Sequence, residues 1–117
     1  MSTQRTTLKG KIVLIYFPFT DLRGRKLRPA LVLHDSGRDV VVAFISSRVD
    51  KYDPETDVLI TMSHPEFRLT GLKTDSSVLK LSKIATLHKR LIAGEIGSIG
   101  PRLRDEINQK IMKVLLL

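Results

Sequence analysis

Two apolar runs flank a basic insert in GKIVLIYFPFTDLRGRKLRPALVL, Gly10 to Leu33. That pattern leaves the chain few choices of fold. Ile12 to Phe17 is unbroken and rich in β-branched and aromatic side chains, as a strand covered on both faces requires. Pro18 ends it, because proline cannot donate to a ladder. Pro29 is expected to reopen the sheet, with Ala30 to Leu33 as the next strand. The connection between them is longer than a tight hairpin needs. It carries Arg23, Arg25, Lys26 and Arg28 against one acid, Asp21. A positive, glycine-containing loop held by two buried strands can present cations to phosphate. The alternative is a solubilising hairpin tip.

The rest of the chain continues the β pattern. His34 to Asp39 is dense in turn formers, so Val40 to Ile45 is expected to form a hairpin with the preceding strand and to end at Ser46-Ser47. Arg48 to Asp57 reads as a hydrophilic loop. Its acids Asp50, Asp53, Glu55 and Asp57 lack the spacing, glycine and distal glutamate of a calcium loop, so no metal is assigned. Val58 to Ile60 is a short strand, and Ser63 to Gly71 a turn region with room for one helical turn. Ser76 to Leu81 resumes strand character and continues through Lys83 to Leu87 after a kink. Ile92 to Ile99 makes a last twisted strand. Pro101 to Leu116 is the one strong helix: Gly100 can cap it, and Leu103, Ile107, Ile111, Val114 and Leu115 recur as an apolar stripe. Such a stripe is expected to cover a sheet. Residues 1–117 therefore read as a single, mainly β domain, a small bent barrel or sandwich with a C-terminal α-helix. Met1 to Lys9 is polar and expected to fray.

Twenty Lys and Arg against 12 Asp and Glu give a net charge of +8, which favours a polyanionic partner. The absence of cysteine excludes disulfides and thiolate chemistry and permits a reducing compartment. No apolar run reaches the length of a membrane span, and none is followed by a signal-peptide cleavage site, so a cytoplasmic location without membrane attachment is the expectation. P-loop, GxGxxG and paired-histidine signatures are all missing; His34, His64 and His88 stand apart. Ribonucleic acid can be cleaved without histidine or metal. Its own 2′-hydroxyl attacks the adjacent phosphorus if a site aligns it and stabilises the charged phosphorane. An arginine fork suits the phosphoryl oxygens, and a Ser or Thr hydroxyl can orient the attacking group.

Gly10 to Val13, Phe17 to Asp21, Arg28-Pro29-Ala30-Leu31-Val32-Leu33 and Ala43-Phe44-Ile45-Ser46-Ser47 together resemble the PemK/MazF-type toxins of bacterial toxin–antitoxin pairs. Gly71-Leu72-Lys73, Ser76-Ser77-Val78, Ala85 to Lys89 and the closing helix extend the resemblance over nearly the whole domain. The Arg28-Pro29 step is its most telling piece. The resemblance implies an SH3-like small barrel of the CcdB/PemK kind, usually a homodimer, acting as a metal-independent endoribonuclease on single-stranded mRNA without a cofactor. It implies 2′,3′-cyclic phosphate and 5′-hydroxyl ends, neutralisation by a cognate antitoxin, and DNA binding through the antitoxin complex. The family's catalytic Arg matches Arg28 and its catalytic Thr matches Ser46. Thr20, Arg23, Arg25, Lys26, Ser47, Arg48 and Ser77 then become RNA-binding candidates. Three positions depart from the family: Lys11 replaces an acid, Ser46 replaces Thr, and His88 stands where Asp is frequent.

Two other classes fit the same composition. A CcdB-like inhibitor would bind a protein target such as DNA gyrase through its C-terminal helix. A non-catalytic RNA-binding barrel would retain RNA uncut, although 5% aromatic residues and no Trp leave few surfaces for base stacking.

Overall fold

In the computed structural model, residues 7–17 and 26–117 are described. Six strands form one antiparallel sheet: β1 (Lys11–Phe17), β2 (Lys26–Asp35), β3 (Asp39–Ser46), β4 (Asp57–Thr61), β5 (Ser76–His88) and β6 (Ile92–Ser98). Their order is β4-β5-β3-β2-β1-β6, and the two edge strands are not joined. The mainly β domain with its closing helix is thus observed, and the expected barrel is an open one. A four-residue helix, α1 (Phe67–Thr70), lies between β4 and β5, and α2 (Pro101–Leu115) ends the fold.

Alternation along the strands sends apolar side chains to both faces of the sheet. Ile12, Leu31, Ala43, Ile45, Leu79 and Leu81 form one core with Val58 and Ile60 of β4, roofed by Leu103 and Ile107 of α2. Val13, Ile15, Ala30, Val32, Val40, Val42, Phe44 and Leu87 form a second core on the opposite face. The expectation that β1 is covered on both sides is therefore met. Leu115 is a correction: it is 49% exposed, so the helix stripe fades at its last turn.

Pro29 does not open β2, as the sequence suggested. The strand begins at Lys26, and Pro29 pairs with Leu14 of β1. The β2–β3 ladder, by contrast, starts only at Ala30↔Phe44. Proline thus sits where β2 is bonded on one side alone, the setting in which its missing N–H is tolerated.

A second irregularity lies in β5. Ala43 pairs with Ile84, but the next β3 residue, Phe44, pairs with Lys80. Leu81, Ser82 and Lys83 therefore bulge from the ladder. An odd number of extra residues reverses the faces. Leu79 and Leu81 belong to the first core, whereas Leu87 belongs to the second.

Helix α2 begins at a cap that its own sequence does not supply. Gly100 has no side chain to accept the first amides, and Glu66 does so from the α1 approach. Its Oε1 accepts from Leu103 N at 2.8 Å and its Oε2 from Arg102 N at 3.1 Å. His64, isolated in sequence, is held here as well. Its Nδ1 accepts from Glu66 N, which leaves Nε2 to donate to Glu106 at 2.8 Å. Two glycines let α1 lie directly on β6. Gly71 adopts φ +70°, and a Cβ on Gly97 would overlap the carbonyl of Thr70. This packing fixes where the segment after Gly71 leaves the sheet.

Gly97→Ala is expected to destabilise the protein by about 1–3 kcal/mol, because neither backbone can yield locally. Gly94, on the same strand, has open space around it, and Gly94→Ala is expected to stay within about 0.5 kcal/mol. Urea denaturation of the two variants measures the contrast.

Candidate nuclease site

The second core ends in polar residues. Arg28 comes before Ala30 and Val32 along one face of β2, and Ser46 after Val42 and Phe44 along the same face of β3. Extending the Ala30↔Phe44 register by two residues sets Arg28 opposite Ser46. The ladder has ended before them, so the strands part at this point. Two cavities open there, of about 740 and 440 Å³, and Arg28, Ser46 and Arg48 line both. The two residues singled out for catalysis are thus brought together at one opening.

Arg28 is half-buried. Its Cζ lies 5.3 Å from the centroid of the Phe17 ring, and that ring meets Phe44 edge-on at 4.8 Å. The cation–π contact holds the guanidinium over the Phe17 ring at the end of the core. Its Nε is buried and has no hydrogen-bond partner, alone in this among the described side-chain atoms. A charged donor in that state is prepared for an anionic acceptor.

Ser46 Oγ accepts a hydrogen bond from Arg48 N at 3.0 Å. That bond fixes a rotamer which threonine would restrict through its methyl group. It also leaves the hydroxyl proton free to donate and one lone pair free to accept. Serine in place of threonine therefore retains an oriented hydroxyl here.

The remaining candidates differ in their surroundings. Arg48 is clamped by Asp50 through Nε–Oδ1 at 3.0 Å and Nη2–Oδ2 at 2.9 Å, which cancels much of its charge. Ser47 is exposed on the smaller cavity. Ser77 lines that cavity too, but it is buried and its Oγ is bonded to Thr74 Oγ1 at 2.8 Å. Lys26 is exposed at the start of β2. Thr20, Arg23 and Arg25 lie outside the described residues.

The family model of the PemK-like, MazF-like toxins of type II toxin–antitoxin systems matches residues 8–115. The chain belongs to that family. Among solved structures, the fold is similar to an endoribonuclease in complex with its cognate antitoxin from Mycobacterial species. The TM-score is 0.65 at 19% identity, over 94% of this chain and 93% of the other. It is similar as well to the Mycobacterium tuberculosis toxin MazF-mt6, with a TM-score of 0.66 at 20% identity over 87% and 92%. No curated protein matches the chain. No helix among the described residues is long and apolar enough to cross a membrane.

This PemK-like toxin also builds its site from residues that sequence reasoning passed over. The sequence shows Phe17 only as the end of an apolar strand, yet it carries the Arg28 guanidinium. Asp57 stands in sequence at the end of a hydrophilic acidic loop, but its side chain is wholly buried and pairs with Lys80 Nζ at 2.7 Å. Lys80 also donates to Lys51 O at 2.9 Å, so the pair ties the segment before β4 to the wall of the larger cavity. A pairing across 23 residues leaves no local signal; only the apolar residues just after Asp57 hint at burial.

Burial pushes the Asp57 carboxyl up. The hydrogen bond from Lys80, with those from Asp53 N and Thr56 Oγ1, outweighs it and leaves the pKa below the usual value. Asp35, buried on the far side, is held well below the carboxylate range by Lys89 and by the amides of Leu8 and Gly37. A depressed folded pKa contributes stability above the unfolded value of about 3.9 and loses it as pH falls toward the folded value. The urea midpoint is therefore expected to drop between pH 5 and pH 3, and Asp57→Asn or Asp35→Asn to flatten that acid limb. Each variant is also expected to lose on the order of 1–3 kcal/mol at pH 7. A variant whose acid limb matches the parent's contradicts the assignment for that residue.

Proposed function

We propose that this toxin is a metal-independent endoribonuclease that cleaves single-stranded mRNA at preferred sequences, with Arg28 and Ser46 as its catalytic residues. The observation that supports it is the pairing of an oriented Ser46 hydroxyl with a guanidinium whose buried Nε lacks an acceptor, on the walls of the same cavities. Membership of the toxin family and the neighbouring structure described as an endoribonuclease support the same reading.

Arg28 donates to the non-bridging oxygens of the scissile phosphate. Ser46 Oγ positions the 2′-hydroxyl, which attacks the adjacent phosphorus. The 2′-oxygen–phosphorus bond forms as the 2′-hydroxyl proton passes to solvent, and the bond to the 5′-oxygen breaks. The products are a 2′,3′-cyclic phosphate and, once the leaving oxygen takes up a proton, a 5′-hydroxyl. Arg28 stabilises charge rather than giving up its own proton, because a guanidinium deprotonates only above about pH 12. Charge grows on the phosphorane oxygens as the reaction proceeds, so a planar fork of donors acts most strongly at the transition state.

Ser47 and Arg48 line the opening, and with Lys26, Thr20, Arg23 and Arg25 they serve RNA binding in this reading. Ser77 acts indirectly, by holding Thr74 at the rim. The partners in this reading are single-stranded RNA, a second copy of the chain, and a cognate antitoxin whose acidic segment competes for the positive opening. The site of action is the cytoplasm.

The test is a long transcript incubated with purified protein in EDTA, with the cleaved ends mapped. The parent is expected to give discrete fragments. Arg28→Ala is expected to lower kcat by about 10²–10³, the usual effect of removing one preorganised donor to a developing oxyanion. Arg28→Lys keeps the charge but not the fork and recovers little of that loss. Arg28→Ala cleaving as fast as the parent contradicts the assignment.

A further inference from the structure

The bulge in β5 has a consequence for how substrate is held. Leu81 is buried in the first core and anchors the bulge. Ser82 and Lys83, with no partners on β3, are thrown outward and line the 740 Å³ cavity beside Arg28 and Ser46. Four further cations or cation-bearing positions need to be separated there. Arg48 is neutralised by Asp50 and Lys80 by Asp57. Lys51 and Lys83 are exposed and form no salt bridge among the described residues, although Lys51 lies in the field of Asp50. The larger cavity therefore presents Lys51, Lys83 and Arg28 as its cations outside these salt bridges. The smaller one has Lys73 as its added lysine and is walled by Leu14, Leu27, Leu72 and Ile96.

We propose that the larger cavity is the groove for the RNA backbone flanking the scissile phosphate, and that Lys83, set by the β5 bulge, is a substrate-positioning contact to a neighbouring phosphate, with Lys51 beside it. The inference rests on the nuclease reading above, since it takes Arg28 and Ser46 as the place of cleavage. A lysine ammonium on a flexible stem acts as a point charge and grips ground state and transition state alike. It therefore lowers KM without raising kcat. A contact to one phosphate of a single strand adds about 0.7 to the slope of log affinity against log salt.

The experiment compares the parent with Lys83→Ala and with Lys113→Ala, an exposed lysine on α2 away from both cavities. Cleavage kinetics are measured on a long RNA, and Kd is measured from 50 to 200 mM salt on a synthetic RNA whose cleavage site carries a 2′-deoxy nucleotide. Lys83→Ala is expected to raise KM about 3–10-fold with kcat unchanged and to reduce the salt slope for the deoxy-blocked RNA by about 0.7, whereas Lys113→Ala changes neither. If Lys83→Ala leaves KM and slope at the parent's values, or if both variants shift them equally, the groove assignment is overturned while cleavage by the parent still stands. If the parent cleaves no RNA, the nuclease reading falls on that result. The salt slope then reports on Lys83 as an RNA contact by itself.

Discussion

The site depends on a guanidinium that the fold leaves short of a partner. A buried, unpaired polar group costs about 1–3 kcal/mol, more when charged, and small domains have little stability to spare. Arg28 is kept where it is by the Phe17 ring beneath its guanidinium, a ring that is itself braced edge-on by Phe44 of the second core. Those contacts compensate part of the desolvation without supplying an acceptor to Nε. In the proposed reading the acceptor comes with the substrate: a phosphate entering the opening would meet a guanidinium whose Nε has no internal bond to break first, which is what electrostatic preorganisation requires.

The same end of the sheet shows how backbone chemistry makes the opening. Proline at 29 lies where the β2–β3 ladder has stopped, so the strands carrying Arg28 and Ser46 diverge while β2 stays bonded to β1 and β3 to β5. The bulge in β5 works on the opposite wall. It keeps Leu81 in one core, moves Leu87 into the other, and leaves Ser82 and Lys83 at the surface between them. Ion pairs then sort the cations. Asp50 and Asp57 take up Arg48 and Lys80, so the charge that remains open is concentrated near Arg28.

Strand content and the terminal helix were legible in the sequence because each rests on local pattern, whereas Arg28 and Ser46 were singled out by the resemblance to the toxin family. Ile12 to Phe17 announces a strand covered on both faces and Pro101 announces a helix start, while the shared face of Arg28 and Ser46 emerged only with the β2–β3 register. What was not legible depends on distant contacts. Glu66 caps a helix 35 residues later, Asp57 is buried only because Lys80 reaches it, and Phe17 matters through a ring face turned toward Arg28. The β5 bulge appeared as a kink before Lys83, but its reversal of faces needed the partner strand. Serine at 46 looked like a weakened threonine until the bond from Arg48 N supplied the missing restraint.

The most direct measurement is the proton–nitrogen NMR signal of Arg28 Nε, followed while an RNA blocked by a 2′-deoxy nucleotide is titrated into the protein. An unpartnered donor that acquires a phosphate acceptor is expected to shift its signal strongly on saturation and to exchange with solvent more slowly. Saturable RNA binding that leaves the Arg28 Nε signal and its exchange rate unchanged would contradict the central role given to this side chain.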